Sequence, residues 1–340
     1  MIYGQAKLKK DRSVLCEDNV YTADHIIIAT GSIPAIPPIQ GVELAIDSDR
    51  ILETDYHVPH SMIIIGGGVI GTEIASALAA FDCQITILEM ADHLLPTMDK
   101  DIGQRLTSYF RKRQITSVCS ASVTSIRKTE DGLTVSYKDK NGTEQSVSGE
   151  EVLIATGRKA NLKGLFEDDT DLEVFRGIVS DEEGRTKLPG IYVIGDARSG
   201  NIQLAHVAEA QGENIVDLIL GKEATNDMSV IPSGVYTDPE IATVGCREMD
   251  LKQENIDYKV RKYLTGANGK CLIENSESGF VKVLTVDDVI VGGQIIAPHA
   301  TELIGELAIA VEKKMTLKQF AEVVHPHPTI SEMLWNVVKQ

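Results

Sequence analysis

No apolar run in this 340-residue chain approaches the roughly 18 residues that a bilayer-spanning helix needs. The opening segment, Met1-Ile2-Tyr3-Gly4-Gln5-Ala6-Lys7, holds no signal-peptide core. The expected location is therefore cytoplasmic. Basic residues are outnumbered, and a net charge of −17 excludes nonspecific binding to nucleic acid or to an anionic membrane. Such a charge suits solubility, or a basic protein partner. Cysteines are few and scattered: Cys16, Cys83, Cys119, Cys246 and Cys271 show neither CxxC redox spacing nor zinc-type spacing. They read as reduced, mostly buried thiols, and no metal site is expected. Low-complexity sequence is absent, and the length suggests two or three domains.

Against these absences one segment is strongly patterned. The apolar strand Met62-Ile63-Ile64-Ile65 runs into Gly66-Gly67-Gly68-Val69-Ile70-Gly71-Thr72-Glu73, and a helix is predicted from Glu73 to Phe81. A second strand, Gln84-Ile85-Thr86-Ile87-Leu88, ends at Glu89. Strand, GxGxxG, helix, strand and acid in that order form a βαβ dinucleotide fingerprint. Gly66 allows the tight turn, Gly68 lets a pyrophosphate approach the backbone, and Gly71 packs helix on strand. Glu89 stands near the ~20-residue spacing expected of the carboxylate that takes ribose hydroxyls. It would repel a 2′-phosphate, and Met90-Ala91-Asp92-His93 offers no arginine to receive one. NAD is preferred over NADP.

Three further landmarks follow. Ile26-Ile27-Ile28-Ala29-Thr30-Gly31 recurs as Val152-Leu153-Ile154-Ala155-Thr156-Gly157, two buried-strand runs ending in a small turn that lets backbone lie close to something flat. The second copy falls where the last strand of the Gly66 domain belongs. The first copy has no glycine fingerprint before it, so the domain it closes is expected to be incomplete. At Ile191-Tyr192-Val193-Ile194-Gly195-Asp196 a strand delivers a carboxylate to its C-terminal end, the edge where doubly wound sheets bind ligands. Gln203-Leu204-Ala205-His206 then leads into a predicted helix, Val207 to Leu220. From about Val230 short strands alternate with turns, and helices Ala300 to Lys313 and Leu317 to Val323 follow, as in a separate α+β domain.

The chain closes on His325-Pro326-His327-Pro328-Thr329-Ile330-Ser331-Glu332. Two prolines fix the backbone around His327, and Thr329 to Glu332 reads as a helix start with an acidic first turn. A rigidly held imidazole with a carboxylate five residues on has the makings of a general base, because the carboxylate takes the ring N–H and sets the tautomer. The alternative is a histidine packed on a proline turn beside a solvated glutamate.

Taken together, these motifs resemble the pyridine nucleotide-disulfide oxidoreductases over essentially the whole chain, and within them the lipoamide-oxidising branch. The resemblance implies an α/β protein with doubly wound dinucleotide-binding domains, one of them incomplete here, and a C-terminal α+β dimerisation domain. Residues 1–57 and 179–225 would be the remainder of an FAD domain, 58–178 an NAD domain of Rossmann type, and 226–340 the interface of a homodimer. Thr30, Gly31 and Ser32 would touch FAD, Asp196 its ribityl chain, and Gln203, Leu204, Ala205 and His206 its polar edge. Gly66, Gly67, Gly68, Val69, Ile70, Gly71, Thr72, Glu73, Glu89, Val123 and Gly157 would line the NAD site, with Glu73 near the nicotinamide. His327 would be the acid/base, oriented by Glu332 and working in the partner subunit's active site. His325 would be its structural neighbour and His299 a helix-entry residue.

The activity so implied is oxidation of protein-bound dihydrolipoamide through a disulfide and FAD to NAD, in partnership with the lipoyl-bearing acyltransferase subunit of a 2-oxo acid dehydrogenase complex. The family pattern also carries a first GxGxxG and a CxxxxC redox pair, and neither occurs in these residues. The chain is thus expected to be N-terminally truncated, inactive alone and a weak FAD binder at best. Glutathione and mercuric reductases would call for arginines where Glu89-Met90 stands, and a soluble transhydrogenase would leave His327 with Glu332 superfluous. A module that binds NAD and dimerises without catalysis is the alternative from another class.

Overall fold

The computed structural model describes residues 1–167, 170–276 and 278–340. These gather into two units: Met1–Ala35 with Arg158–Ser229, and Ile36–Gly157 with Val230–Gln340. In the second unit a five-stranded sheet runs Ile46–Asp47, Glu151–Ile154, Ser61–Ile65, Gln84–Glu89, Thr116–Cys119 in spatial order, every pairing parallel. Its central strand carries Met62, Ile63, Ile64 and Ile65, all buried, as a strand covered on both faces requires. The strand leading to the second Ala-Thr-Gly, Glu151–Ile154, lies beside it.

The helix after the glycines spans Val69–Ala79 rather than Glu73 to Phe81. Gly68 takes an extended N-cap conformation, so the first amides of the helix face the glycine loop, and Phe81 lies past the C-cap, 70% exposed. A second helix, Lys100–Lys112, buries Ile102, Leu106 and Phe110 as one stripe. Asp101 sits in its first turn and Arg111 and Lys112 in its last, matching the helix dipole.

An antiparallel meander, Ser122–Thr129, Gly132–Lys138 and Glu144–Gly149, joins this part. The C-terminal part is a five-stranded antiparallel sheet in the order Ser233–Val235, Ile241–Gly245, Val289–Ile296, Phe280–Val286, Lys259–Leu264. Helices Ala300–Glu312, Leu317–Ala321 and Glu332–Lys339 pack with it, the last beginning at Glu332 rather than Thr329. His299 is the N-cap of the first of these. One core runs without a break from Ile102, Leu106 and Phe110 to Val235, Ile241, Phe280 and Ile296 of the antiparallel sheet.

A charged cluster lies in the same region. Lys282 is fully buried, and its Nζ lies 2.8 Å from Asp99, 2.8 Å from Asp101 and 3.0 Å from Glu248.

In the first unit, Ile26–Ile28 pairs in parallel with Ile191–Val193, and Ser32–Pro34 pairs antiparallel with Arg158–Ala160. A small antiparallel sheet, Ala6–Leu8, Val14–Cys16 and Asn19–Tyr21, and helix Ala205–Ile219 complete it. Leu8, Ile28, Ile178, Ile191, Val193 and Ala197 form its core. The first Ala-Thr-Gly strand reads as fully buried in the sequence, yet Ile27 is 37% exposed while Ile28 is 5%. Among the described residues only one strand pairs with it, so it behaves as a strand of a small ribbon with one covered face. No helix among the described residues is long and apolar enough to cross a membrane.

Candidate active site

Three separate groups of residues singled out in the sequence are each gathered by the fold. The first is the glycine loop. Gly66 has φ +114°, and a Cβ there would lie 2.3 Å from the carbonyl oxygen of Ala155. At Gly71 a Cβ would lie 2.0 Å from the Gly66 carbonyl oxygen. At Gly68, by contrast, nothing lies within 4 Å of an added Cβ. Two glycines are thus demanded by the fold, and the third keeps open space at a helix N-terminus that no side chain caps. This is the shape and polarity a pyrophosphate requires, so the residues fit a bound dinucleotide.

Glu89, 8% exposed, ties the loop from below. Its Oε2 accepts from the Gly67 N–H at 2.5 Å and its Oε1 from the Ala91 N–H at 2.6 Å. Val69 and Ile70 form the first turn beside it and are partly exposed. Thr72 is fully buried and returns its hydroxyl to the Gly68 carbonyl at 2.9 Å, so its side chain faces the protein rather than the open space. Glu73 Oε1 accepts from the Tyr236 N–H at 2.8 Å. Burial pushes the Glu73 carboxyl up, and the Tyr236 amide opposes that shift. Val123 lies at a β-bulge, and Gly157, at φ +109°, has open space around it.

These contrasts set an expected result. Gly66→Ala is expected to cost about 2 kcal/mol or more through backbone strain and the Ala155 clash. Gly68→Ala should cost no more than about 1 kcal/mol yet weaken nucleotide binding, because its methyl occupies the open space. Thermal unfolding and NADH titration of both variants separate the two glycines' roles.

The second group lies in the first unit. Asp196 Oδ2 accepts from Ser32 Oγ at 2.6 Å, and Arg158 donates from Nε to the same hydroxyl at 2.8 Å and from Nη2 to the Ser32 carbonyl at 2.9 Å. Ser32 and Asp196, read separately from the sequence, are thus one cluster. Arg158 is a member that sequence reasoning missed, although its place directly after the second Ala-Thr-Gly was a signal. Also missed was the pair behind it. Gln211 Oε1 accepts from the Gly195 N–H at 2.8 Å, and Gln211 Nε2 donates to Asn201 at 2.8 Å, which pins the turn that presents Asp196. Thr30, Gln203, Ala205 and His206 are exposed, and Leu204 is the N-cap of the helix that follows, with no side-chain cap. Gly31, at φ +67°, has open space beside it. A half-buried carboxylate and hydroxyl next to an open glycine turn fit a polyhydroxylated chain such as a ribityl group.

The third group is the C-terminal octet. His327 Nδ1 lies 2.9 Å and 3.1 Å from the two carboxylate oxygens of Glu332. Glu332 Oε2 also accepts from the Thr329 N–H at 2.9 Å. That amide first, and His327 second, hold the Glu332 carboxyl below the usual carboxylate range. The His327 ring is 79% exposed, whereas Glu332 is 16% exposed. An anionic Glu332 favours the tautomer with the proton on Nδ1, in which Nε2 carries the lone pair. Glu332 is also the first residue of its helix, where the dipole favours a negative charge.

Comparison with known proteins places the chain in a family. Residues 1–212 match the family described as pyridine nucleotide-disulphide oxidoreductase, and residues 231–338 match its dimerisation domain. The dihydrolipoyl dehydrogenase of Bacillus subtilis (strain 168) is 35% identical over 343 residues, covering 98% of this chain and 72% of that protein. The dihydrolipoyl dehydrogenase of Mycoplasma genitalium is 34% identical over 349 residues, covering 100% of this chain and 75% of its own length. Among solved structures, LpdA from Mycobacterium tuberculosis superposes with a TM-score of 0.84 at 26% identity, covering 97% of this chain and 71% of that one. The HOCl-induced flavoprotein disulfide reductase RclA from Escherichia coli superposes at 0.88 with 25% identity, covering 99% and 78%.

Proposed function

The chain belongs to the pyridine nucleotide-disulphide oxidoreductase family, and on that premise we propose that it acts as a dihydrolipoyl dehydrogenase using NAD. The family is one of flavin- and pyridine nucleotide-dependent disulfide oxidoreductases, and residues 231–338 carry its dimerisation domain. The observation that carries the narrower reading is the His327–Glu332 pair, with Nδ1 held at 2.9 Å and the ring 79% exposed. A base placed in this way removes a proton from a dithiol substrate, and the thiolate is the form that attacks a disulfide. Glu332 then stabilises the imidazolium until the proton is returned. When bound, FAD supplies the route by which the electron pair leaves for NAD as hydride.

In this reading residues 58–178 hold NAD, residues 1–57 and 179–225 hold FAD through Ser32 and Asp196, and residues 226–340 bring His327 to the partner subunit's site. Glu89 favours NAD, since an anionic carboxylate beside the loop repels a 2′-phosphate. The acidic surface suits docking on a basic domain of the lipoyl-bearing acyltransferase subunit.

A specific observation favours the second reading, a binding module. Burial pushes the Cys83 and Cys271 thiols up to about 11 and raises Cys119 and Cys246 as well. All five cysteines stand as free thiols, and we propose that the redox pair is not among them. A steady-state assay distinguishes the readings. With the redox pair supplied, dihydrolipoamide and NAD should turn over and outpace NADPH with glutathione disulfide. The reverse preference would overturn the lipoamide reading. NADH binding without turnover on either pair would leave the module.

A further inference from the structure

Two residues before His327 stands a histidine in the opposite environment. The His325 side chain is 6% exposed, against 79% for His327. Three helices meet on it. Glu306 of Ala300–Glu312 places Oε2 2.9 Å from His325 Nε2. Phe320 of Leu317–Ala321 lies 5.7 Å away between ring centroids. Trp335 of Glu332–Lys339 stacks at 6.0 Å with an interplanar angle of 22°. The fourth contact is to the chain itself, from Nδ1 to the Val323 carbonyl at 3.0 Å. Val323 O and the Glu306 carboxylate are both acceptors, so both contacts are hydrogen bonds when both ring nitrogens carry hydrogen.

This anchor lies on one side of His327, and the Glu332 bond lies on the other. Between them Thr329 Oγ1 donates to the Pro326 carbonyl at 2.7 Å, and Asn268 Nδ2 donates to the Thr329 carbonyl at 3.0 Å. Among the described residues, the hydrogen bonds that orient the exposed ring of His327 are those to Glu332. Its angle of approach to that carboxylate therefore depends on how the backbone at residues 325 and 326 is held. A displacement of about 1 Å there breaks a hydrogen bond whose useful range is only a few tenths of an ångström wide.

We propose that His325, clamped by Glu306, stacked on Trp335 and packed against Phe320, is a positioning residue. It fixes the strand of chain that presents His327 to Glu332, and so keeps the Nε2 of His327 as the unprotonated nitrogen. The proposal rests on the reading of His327 as the acid/base, and its first test does not use activity. Nitrogen-15 NMR of the histidine rings in the full chain reads the Nδ1–H to Nε2–H ratio of neutral His327 directly. His325→Phe keeps the ring stack and loses both hydrogen bonds. It is expected to lower that ratio about tenfold, the equivalent of losing one hydrogen bond to a charged acceptor. Glu306→Gln, which keeps the side-chain shape, is expected to shift the ratio in the same direction.

In the enzyme assayed with its redox pair, the same variants should lower kcat and leave the KM for NAD unchanged. An unchanged His327 tautomer ratio in His325→Phe, with Trp335 fluorescence native, would overturn the proposal. Where His325→Phe fails to fold, an unchanged ratio in folded Glu306→Gln does the same. Failure of the acid/base reading has a separate signature, undiminished turnover in a His327 variant, which leaves the tautomer measurement standing.

Discussion

His327→Gln is expected to lower dihydrolipoamide turnover by about 10²- to 10⁴-fold, the usual contribution of a positioned general base. Glutamine preserves the size and one hydrogen bond to Glu332 but has no basic nitrogen. NADH affinity should not change, because the Gly66 to Gly71 loop and the octet are separate groups of residues. Glu332→Gln is the informative companion. It removes the charge that stabilises the imidazolium and leaves a single carbonyl oxygen to serve both the Thr329 amide and His327, so its defect should grow at pH values where His327 must hold a proton transiently. The Glu332 carboxyl is depressed in the folded chain, first by the Thr329 amide and then by His327. Its stabilisation is therefore complete above the ordinary glutamate range and is lost only as pH falls through the lower folded value. The pair accordingly stays charged on the glutamate side throughout the neutral range. Near wild-type turnover in His327→Gln would remove His327 from the mechanism.

Lys282→Met is expected to destabilise the fold by about 3–5 kcal/mol at neutral pH, the cost of stranding buried charge when its partner is removed. The lysine Nζ is shared among Asp99, Asp101 and Glu248, whose oxygens lie within 4.8 Å of one another. Burial alone would lower the Lys282 ammonium and raise the Asp101 and Glu248 carboxyls. The hydrogen bonds of the cluster outweigh it, so the lysine is raised and both carboxyls are lowered. For the wild type the sign follows directly. The carboxylates' share of stability is present above their unfolded range and lost as pH falls through their depressed values. The lysine's share is present below its unfolded value and lost as pH rises through its elevated one. In the variant the three carboxylates lose the cation they share, leaving Lys262 on the outer oxygen of Asp101 and Lys252 on Glu248, so the penalty should shrink as acid neutralises the cluster. Urea unfolding across pH measures this, and a midpoint near wild type at neutral pH would contradict the assignment of Lys282 as the buried cation the three carboxylates share.

The contrast between these two sites explains what was legible in the sequence. The glycine loop and the octet were readable because their parts are close in the chain: Gly66 to Gly71 encloses one turn, and prolines confine His327 within five residues of Glu332. The ends of elements were less readable, as at helix Val69–Ala79, because a glycine N-cap looks like loop until its conformation is seen. Lys282 was not readable at all. In Val281-Lys282-Val283 it resembles the solvated residue of an ordinary alternating strand, and Asp99-Lys100-Asp101 resembles the acidic first turn of an exposed helix. Their meeting depends on helix Lys100–Lys112 packing across the antiparallel sheet, a contact between distant parts of the chain. Ser32 and Asp196 were chosen separately for chemistry, and only the pairing of Ile26–Ile28 with Ile191–Val193 puts the turns that follow side by side.

The unbroken core from Phe110 to Phe280 and Ile296 has a thermodynamic consequence. Segments that share one core tend to melt as a single cooperative block, so hydrogen-exchange protection in the glycine-loop helix and in the C-terminal sheet should rise and fall together. Whatever occupies the loop then adds its binding free energy to the whole block by mass action. On the proposed reading of the loop, that coupling would let the supply of nucleotide set how firmly the dimerisation domain holds its shape.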